Sequence, residues 1–304
     1  MPIPRWFWAA LLAATAYGQQ VADPNFNTRV ADPAFTSTHP RIGIDESHKN
    51  FHTKDGRYKP FAALMAADGF TVAAAPKFTA GALKAIDILV IANALGNEDW
   101  NKPEPAFSVA ECDAVRDWVR AGGALLLIAD HAPFGDSAAL LAQRLGVDMG
   151  RGFAADPKNS DKNPTLLVFS VENGLLGDHT IIRGRNGRER VRTIVAFTGQ
   201  SLSVPKDSTA LMKLGKDAVE VATREELRDF ASGRLTGKSV AGRAQGIAMA
   251  FGKGRAAVFG EAAMFSAQVA GSGAQAFKMG MNAEGSDDRQ FALNVMHWLA
   301  RALD

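Results

Sequence analysis

The 304-residue sequence contains a single cysteine, Cys112, so no intrachain disulfide can brace the fold. Stability must come from packing, and with 47% apolar residues a sizeable core is within reach. Cys112 falls inside a helical pattern, where a buried structural thiol is the ordinary reading and a nucleophile the exceptional one. Net charge is small as well. Thirty-four Lys and Arg against 32 Asp and Glu leave +2, which offers no footprint for nucleic acid or an anionic membrane surface. Neither G-x-x-x-x-G-K-[ST] nor a G-x-G-x-x-G after a strand occurs, which removes two familiar phosphate cradles. A His-Glu-x-x-His helix and a cysteine ligand set are missing too, so a metal would have to be held by dispersed groups.

No apolar run reaches the roughly 20 residues that a membrane span takes. The first one, residues 6–16, follows Arg5 and precedes Ala16-Tyr17-Gly18, which is the layout of a cleavable signal peptide. The expectation is an exported protein, periplasmic or extracellular, cut near Gly18. Residues 19–40 are polar and proline-punctuated, with ADPNF at 22–26 echoed by ADPAF at 31–35. Two copies do not make a repeat architecture, and the segment reads as an extended arm on the domain surface.

From residue 41 short apolar runs alternate with amphipathic helices. RIGID (41–45), FTVAAA (70–75), IDILVIAN (86–93) and ALLLIAD (124–130) read as strands, the last two apolar throughout, as in strands buried on both faces. Between them lie a helix at 58–68 closed by Gly69, a short one at 79–85, and one opened by the capping box Ser108-Val-Ala-Glu111. Another helix is expected at 137–145, capped by Ser137. Residues 151–190, rich in Gly, Asn, Asp and Lys, read as a long irregular insertion. Further strands are expected at 191–197 and 209–214, a helix after Thr223, and a β-hairpin with a three-residue turn across Gly252-Lys253-Gly254. A last helix at 287–303 carries Phe291, Val295, Trp298 and Leu299 inward. This rhythm predicts one α/β domain over 41–304, a flavodoxin-like three-layer sandwich with a mostly parallel central sheet.

In such a sheet, ligands bind beyond the carboxyl ends of the strands, so polar residues there carry the most weight. Three strand ends stand out: Asp45 with His48, Asn50 and His52; Asp130-His131; and Glu261. His48, His131, Asp130 and Glu261 are the candidate catalytic residues, as acid and base groups for hydrolysis or as dispersed ligands of a divalent metal. Asp45, Asn50, His52, Gln200 and the loop aromatic Trp100 are candidate ligand contacts. The plainer alternative is that these carboxylates cap helices or pin loops. Ser137, in Gly135-Asp136-Ser137-Ala138-Ala139, sits too far past the strand at 124–130 for a nucleophile elbow.

The runs IGIDESHKNFHT, GRYKPFAALMAADGFTV, DILVIANAL, WVRAGG, LLLIADHAPFG and GRAAVFGEAAMFSAQ resemble exported proteins of the class I glutamine-amidotransferase-like superfamily. The resemblance lies near the gliding-motility transporter-associated domain and the ThuA-like proteins, and it spans most of residues 40–300. It implies a site at the strand carboxyl ends. The superfamily's working glutaminases carry a cysteine in a G-x-C-x-G elbow, whereas here Asp130-His131 follow the strand and Cys112 lies in the preceding helix. Glutaminase chemistry is therefore not expected. Two readings stay open: a hydrolase-like or carbohydrate-processing enzyme, and a non-catalytic domain binding a carbohydrate or cell-wall fragment. A structural periplasmic role stands behind both. The leader carries its own test. Intact-mass measurement of the exported protein should place its first residue at or next to Gln19, and recovery of the whole chain from Met1 would dismiss a cleaved signal.

Overall fold

The runs Ile88–Ala92 and Ala124–Ile128 are buried along their whole length, and strand alternation divides their side chains between two cores. Ile88, Val90, Ala92, Leu126 and Ile128 face one core, while Leu89, Ile91, Leu125 and Leu127 face the other. Fully burying a side chain of this size contributes about 1.5–3 kcal/mol, so both faces attract a covering layer.

A computed structural model of the chain describes residues 20–161, 163–271 and 276–304. The expected leader at 1–18 lies outside the described residues. In the first half the order is β1 (Val21–Ala22), β2 (Arg41–Ile44), α1 (Lys59–Ala67), β3 (Thr71–Ala74), β4 (Ile88–Ala92), α2 (Val109–Arg120), β5 (Ala124–Ile128) and α3 (Phe134–Arg144). There follow β6 (Phe153–Ala155), β7 (Leu166–Ser170), α4 (Thr180–Arg183), β8 (Thr193–Phe197), β9 (Ser208–Lys213), β10 (Val219–Val221) and α5 (Arg224–Ala231). The chain ends with β11 (Lys238–Ser239), β12 (Ala244–Phe251), β13 (Gly254–Phe259), β14 (Ala267–Ala270), β15 (Phe277–Gly280) and α6 (Asp288–Leu299).

The central sheet has the order β3-β2-β4-β5-β13-β12-β9. One core is covered by α1 (Phe61, Leu64, Met65) and α6 (Phe291, Val295, Trp298, Leu299), the other by α2 (Cys112, Val115, Val119) and α3 (Phe134, Leu141). The expectation of a mostly parallel, flavodoxin-like sandwich is overturned. The central sheet is mixed: β3, β2, β4, β5 and β13 are parallel, but β12 lies antiparallel to both β13 and β9. Three further sheets, β1-β14-β15, β11-β10-β6 and β7-β8, are antiparallel throughout, so antiparallel ladders outnumber parallel ones among the described residues. The cause is connection length, because a parallel neighbour needs a long crossover whereas Gly252-Lys253 alone returns β12 into β13. That turn has two residues, not the expected three, with Phe251 paired to Gly254. Residues 151–190, expected to be irregular, contain β6, β7 and α4.

Local signals fixed several helix ends. Ser108 and Glu111 form the reciprocal capping box of α2. The other end of α2 abuts the hairpin, where a side chain on Gly254 would strike the carbonyls of Val119 and Gly123. In contrast, α3 begins at Phe134, three residues before the expected start, so Ser137 lies inside the helix and its buried Oγ caps nothing.

The second half of the arm is tied to the domain by Asp68. Asp68 Oδ1 accepts from the Ala34 N–H at 3.0 Å, and the Asp68 carbonyl accepts from Phe35 N–H. Oδ2 meets His297 Nε2 of α6 at 2.6 Å, with both side chains buried. Phe35 lies edge-on to Phe70 at 4.6 Å, and Gly69, at φ +97°, leaves room for the Phe35 carbonyl where a side chain would collide. Asp68→Ala removes the acceptor shared by arm, α1 and α6 and strands His297 in the core. The expected loss is about 3–5 kcal/mol in urea denaturation, together with faster proteolysis within residues 20–40. Equal stability would refute the role given to this pair.

Candidate functional site

Register brings the strand ends together. Ile128 and Phe259 are direct partners across the β5–β13 ladder, so Asp130 and Glu261, each two residues further on, emerge side by side. Ile44 pairs with Val90, and Ala92 with Ile128, which sets Asp45 and Asn93 along the same edge. Four neighbouring parallel strands thus end in polar residues along one edge of the sheet, Asp45 set back from Asp130 and Glu261.

Each of these residues then finds a partner within the protein. Asp45 is fully buried and accepts from Ser47 N–H and Oγ–H, from Asn50 Nδ2 at 3.0 Å and from His48 Nδ1 at 2.9 Å. The other ring nitrogen of His48 faces Glu111 Oε1 at 3.3 Å, and Phe78 and Phe107 wall the ring at 4.7 Å each. Burial works against a charged imidazole here, but the hydrogen bonds and attraction of Asp45, seconded by Glu111, carry the His48 pKa above its ordinary value. The candidate base is thus held between two carboxylates. Asn50, expected to meet a ligand, is buried and returns its Oδ1 to the His48 N–H.

The second group centres on Asp130. Its main-chain N–H donates to Asn93 Oδ1 and its Oδ1 accepts from the His131 N–H at 2.7 Å. Glu261 is fully buried, with both oxygens taken by the N–H groups of Ala263 and Met264 at the start of a 3-10 turn, Ala263–Phe265. Burial raises the carboxyl pKa of Asp130, and burial together with the charge of Asp130 lifts that of Glu261 well above the carboxylate range. Tyr58 joins this group. Its hydroxyl donates to the Ala262 carbonyl at 2.9 Å, and burial, Glu261 and Asp130 all push its pKa up. His131 Nδ1 pairs with the Ala132 carbonyl at 2.7 Å while its ring stacks on Phe153 at 4.7 Å.

The expected site residues therefore divide. Asp130, His131 and Glu261 share one neighbourhood, whereas the imidazole of His48 contacts Asp45, Ser47 and Glu111. His52, expected to meet a ligand, is buried, with Nδ1 against Asn93 Nδ2 at 3.2 Å and its ring 4.7 Å from Tyr58. Gln200 is also interior and donates to the Ala129 carbonyl at 2.6 Å. Trp100 remains 36% exposed, edge-on to Phe51 and Phe134 at 5.1 Å each, with Arg57 over the Phe51 ring at 3.9 Å. Among the described residues no three of His, Cys, Asp and Glu are placed to hold a metal ion. Cys112 is buried, its thiol pushed up to about 11 by that burial. Sequence reasoning missed Asn93, Tyr58 and the second role of Glu111, although a polar residue closing an apolar strand was a usable signal for Asn93.

No family model matches this chain, and no curated protein does. Among solved structures it is similar to the N-terminal domain of mmIFT52, with TM-score 0.59 and 16% identity over 86% of this chain and 97% of that one. It is also similar to a ThuA-like protein from Bacteroides uniformis (TM-score 0.44, 14% identity, 91% of this chain and 95% of that one). A cytoplasmic protein from Salmonella typhimurium aligns with TM-score 0.45 and 11% identity over 86% of this chain and 98% of its own. The likeness to the first is one of fold. No helix among the described residues is long and apolar enough to cross a membrane.

The buried imidazole has a measurable consequence. Burial, aided by Arg57, lowers His52 from 6.5 to about 3. The unfolded chain protonates this ring below 6.5 and the folded chain does so only near 3. Its contribution is whole above the higher value and is lost as pH falls between the two, at about 1.4 kcal/mol per pH unit. His52→Gln, whose amide oxygen can accept from Asn93, is expected to flatten that part of the profile in urea melts. Parallel profiles for variant and wild type would show that His52 is not held neutral.

Proposed function

We propose that this chain is an exported, non-catalytic binding domain for a carbohydrate or cell-wall fragment, a member of the glutamine-amidotransferase-like superfamily without the catalytic cysteine. The observation that carries this reading is a contrast at the strand ends. The carboxylates of Asp45 and Glu261 are consumed by internal donors, while aromatic rings beside them stay partly open. Trp100 and Phe51 meet Phe134, Phe134 lies 6.3 Å from His131, and His131 stacks on Phe153. Phe134 and Phe153 are buried behind this line, and the partly exposed rings of Trp100, Phe51 and His131 offer faces for sugar rings. With Nδ1 donating to the Ala132 carbonyl, His131 Nε2 is left as an acceptor for a ligand hydroxyl.

One observation favours the hydrolase-like alternative: Asp130 and Glu261 are neighbouring acids with raised pKa values, the condition in which a carboxyl group keeps a proton to donate. The full occupation of Glu261 by backbone donors weighs against it. The two are separated by screening the mature protein against glycans and generic glycosides and esters, reading thermal stabilisation and product together. Binding alone predicts a ligand that raises Tm without turnover and binds Trp100→Ala at least about tenfold more weakly, as for loss of a stacking contact. Turnover abolished by Asp130→Asn would replace binding with catalysis, and no stabilising glycan would defeat the proposal.

A further inference from the structure

The repeated pentapeptide has no part in the strand-edge reading. Its second copy, residues 31–35, anchors the arm through Ala34 and Phe35 on Asp68. The first copy, residues 22–26, is held against β14 by the β1 ladder and by the Asp23 N–H on the Ala267 carbonyl at 2.8 Å. There it forms one wall of a cavity of about 440 Å³ with Asn27 and Arg29, facing Lys278, Asn282 and Arg289. That volume lies within the usual range for small-molecule sites.

The cavity is cationic, and its one acid is already occupied. Asp23 is buried, with Oδ1 accepting from the Asn25 N–H at 2.9 Å and Oδ2 from Asn282 Nδ2 at 2.8 Å. Arg29, Lys278 and Arg289 line the same space, and none of them is in an ion pair among the described residues. Arg289 is half-buried and gives its Nη2 to the Arg29 carbonyl at 2.8 Å. A guanidinium partly withdrawn from water with no direct ion pair, and only the more distant Asp68 to balance it, is costly, and an anion in the cavity would relieve that cost. Asn282 braces the cavity wall. Its amide nitrogen donates to Asp23 and to the Gln268 carbonyl, which fixes the orientation of the amide. The Asn282 Oδ1 is thereby left buried with no donor. Phe26 adds an apolar face.

We propose that this cavity is a second ligand site, separate from the strand edge, that takes a hydroxylated organic anion: a sugar carrying a carboxylate or a phosphate. The charge meets Arg29, Lys278 and Arg289, and a hydroxyl meets the exposed amides of Asn25 and Asn27, which line the same space. Calorimetric titration of the mature protein with glucuronate, glucose 6-phosphate, inorganic phosphate and glucose tests the proposal. At least one of the two anionic sugars should bind more tightly than both inorganic phosphate and glucose, and which one does so identifies the charged group. Arg289→Gln and Lys278→Gln should each weaken that binding about 10- to 100-fold, the worth of a charge-assisted hydrogen bond. Replacing both Asn25 and Asn27 with Ala should erase the preference over inorganic phosphate. Lys278 is exposed on β15, so its variant serves even where Arg289→Gln fails to fold. Trp100→Ala should leave binding of these ligands unchanged. Equal or absent binding of all four, binding undiminished in folded Lys278→Gln, or loss of binding in Trp100→Ala would each overturn the second site.

Discussion

Burying the carboxyl ends of four parallel strands forces each polar group there to find a partner inside the protein, and much of the local architecture answers that demand. Asp45 gathers the loop at 47–50 around its two oxygens. Asn93 adopts φ +50°, a costly conformation for a side-chain-bearing residue, and its amide bridges His52 and the Asp130 main chain. Glu261 starts the 3-10 turn that leads into β14. Left unanswered, a buried polar group of this kind costs about 1–3 kcal/mol, so the edge is organised by satisfaction as much as by access for ligands.

This is why the strand ends are a poor place to seek a free base and a better place to seek a surface. The charges that sequence inspection assigns to chemistry are engaged by main-chain donors or by one another. What stays open are ring edges and the far nitrogen of His131, whose other nitrogen is fixed by a carbonyl. The cavity beside the arm has the opposite character. There the carboxylate is occupied and the cations are in no ion pair, so the two places differ in chemical character.

The first half of the fold was legible because continuous apolar runs such as 86–93 and 124–130 admit few alternatives to buried strands, and Ser108 with Glu111 marked a helix start unambiguously. The second half was not. Strands of two or three residues, such as Val219–Val221 and Lys238–Ser239, have no periodicity to detect and exist only through their ladders. The site was legible as a set of strand ends and not as a set of contacts. Glu111 reads from sequence as a cap alone, because its Oε2 serves Ser108 while its Oε1 reaches His48, 63 positions away. His52 and Asn50 read as ligand contacts because sequence shows the side chain but not the depth at which it is buried.

Helix α2 links two of these features mechanically. Its first turn carries Glu111 against His48, and its last turn lies against Gly254, where no side chain fits. A rod of twelve residues, about 18 Å long, is therefore wedged between the hairpin and the histidine clamp. Bulk added at the hairpin thus strikes the last turn of the same rod whose first turn bears on the imidazole.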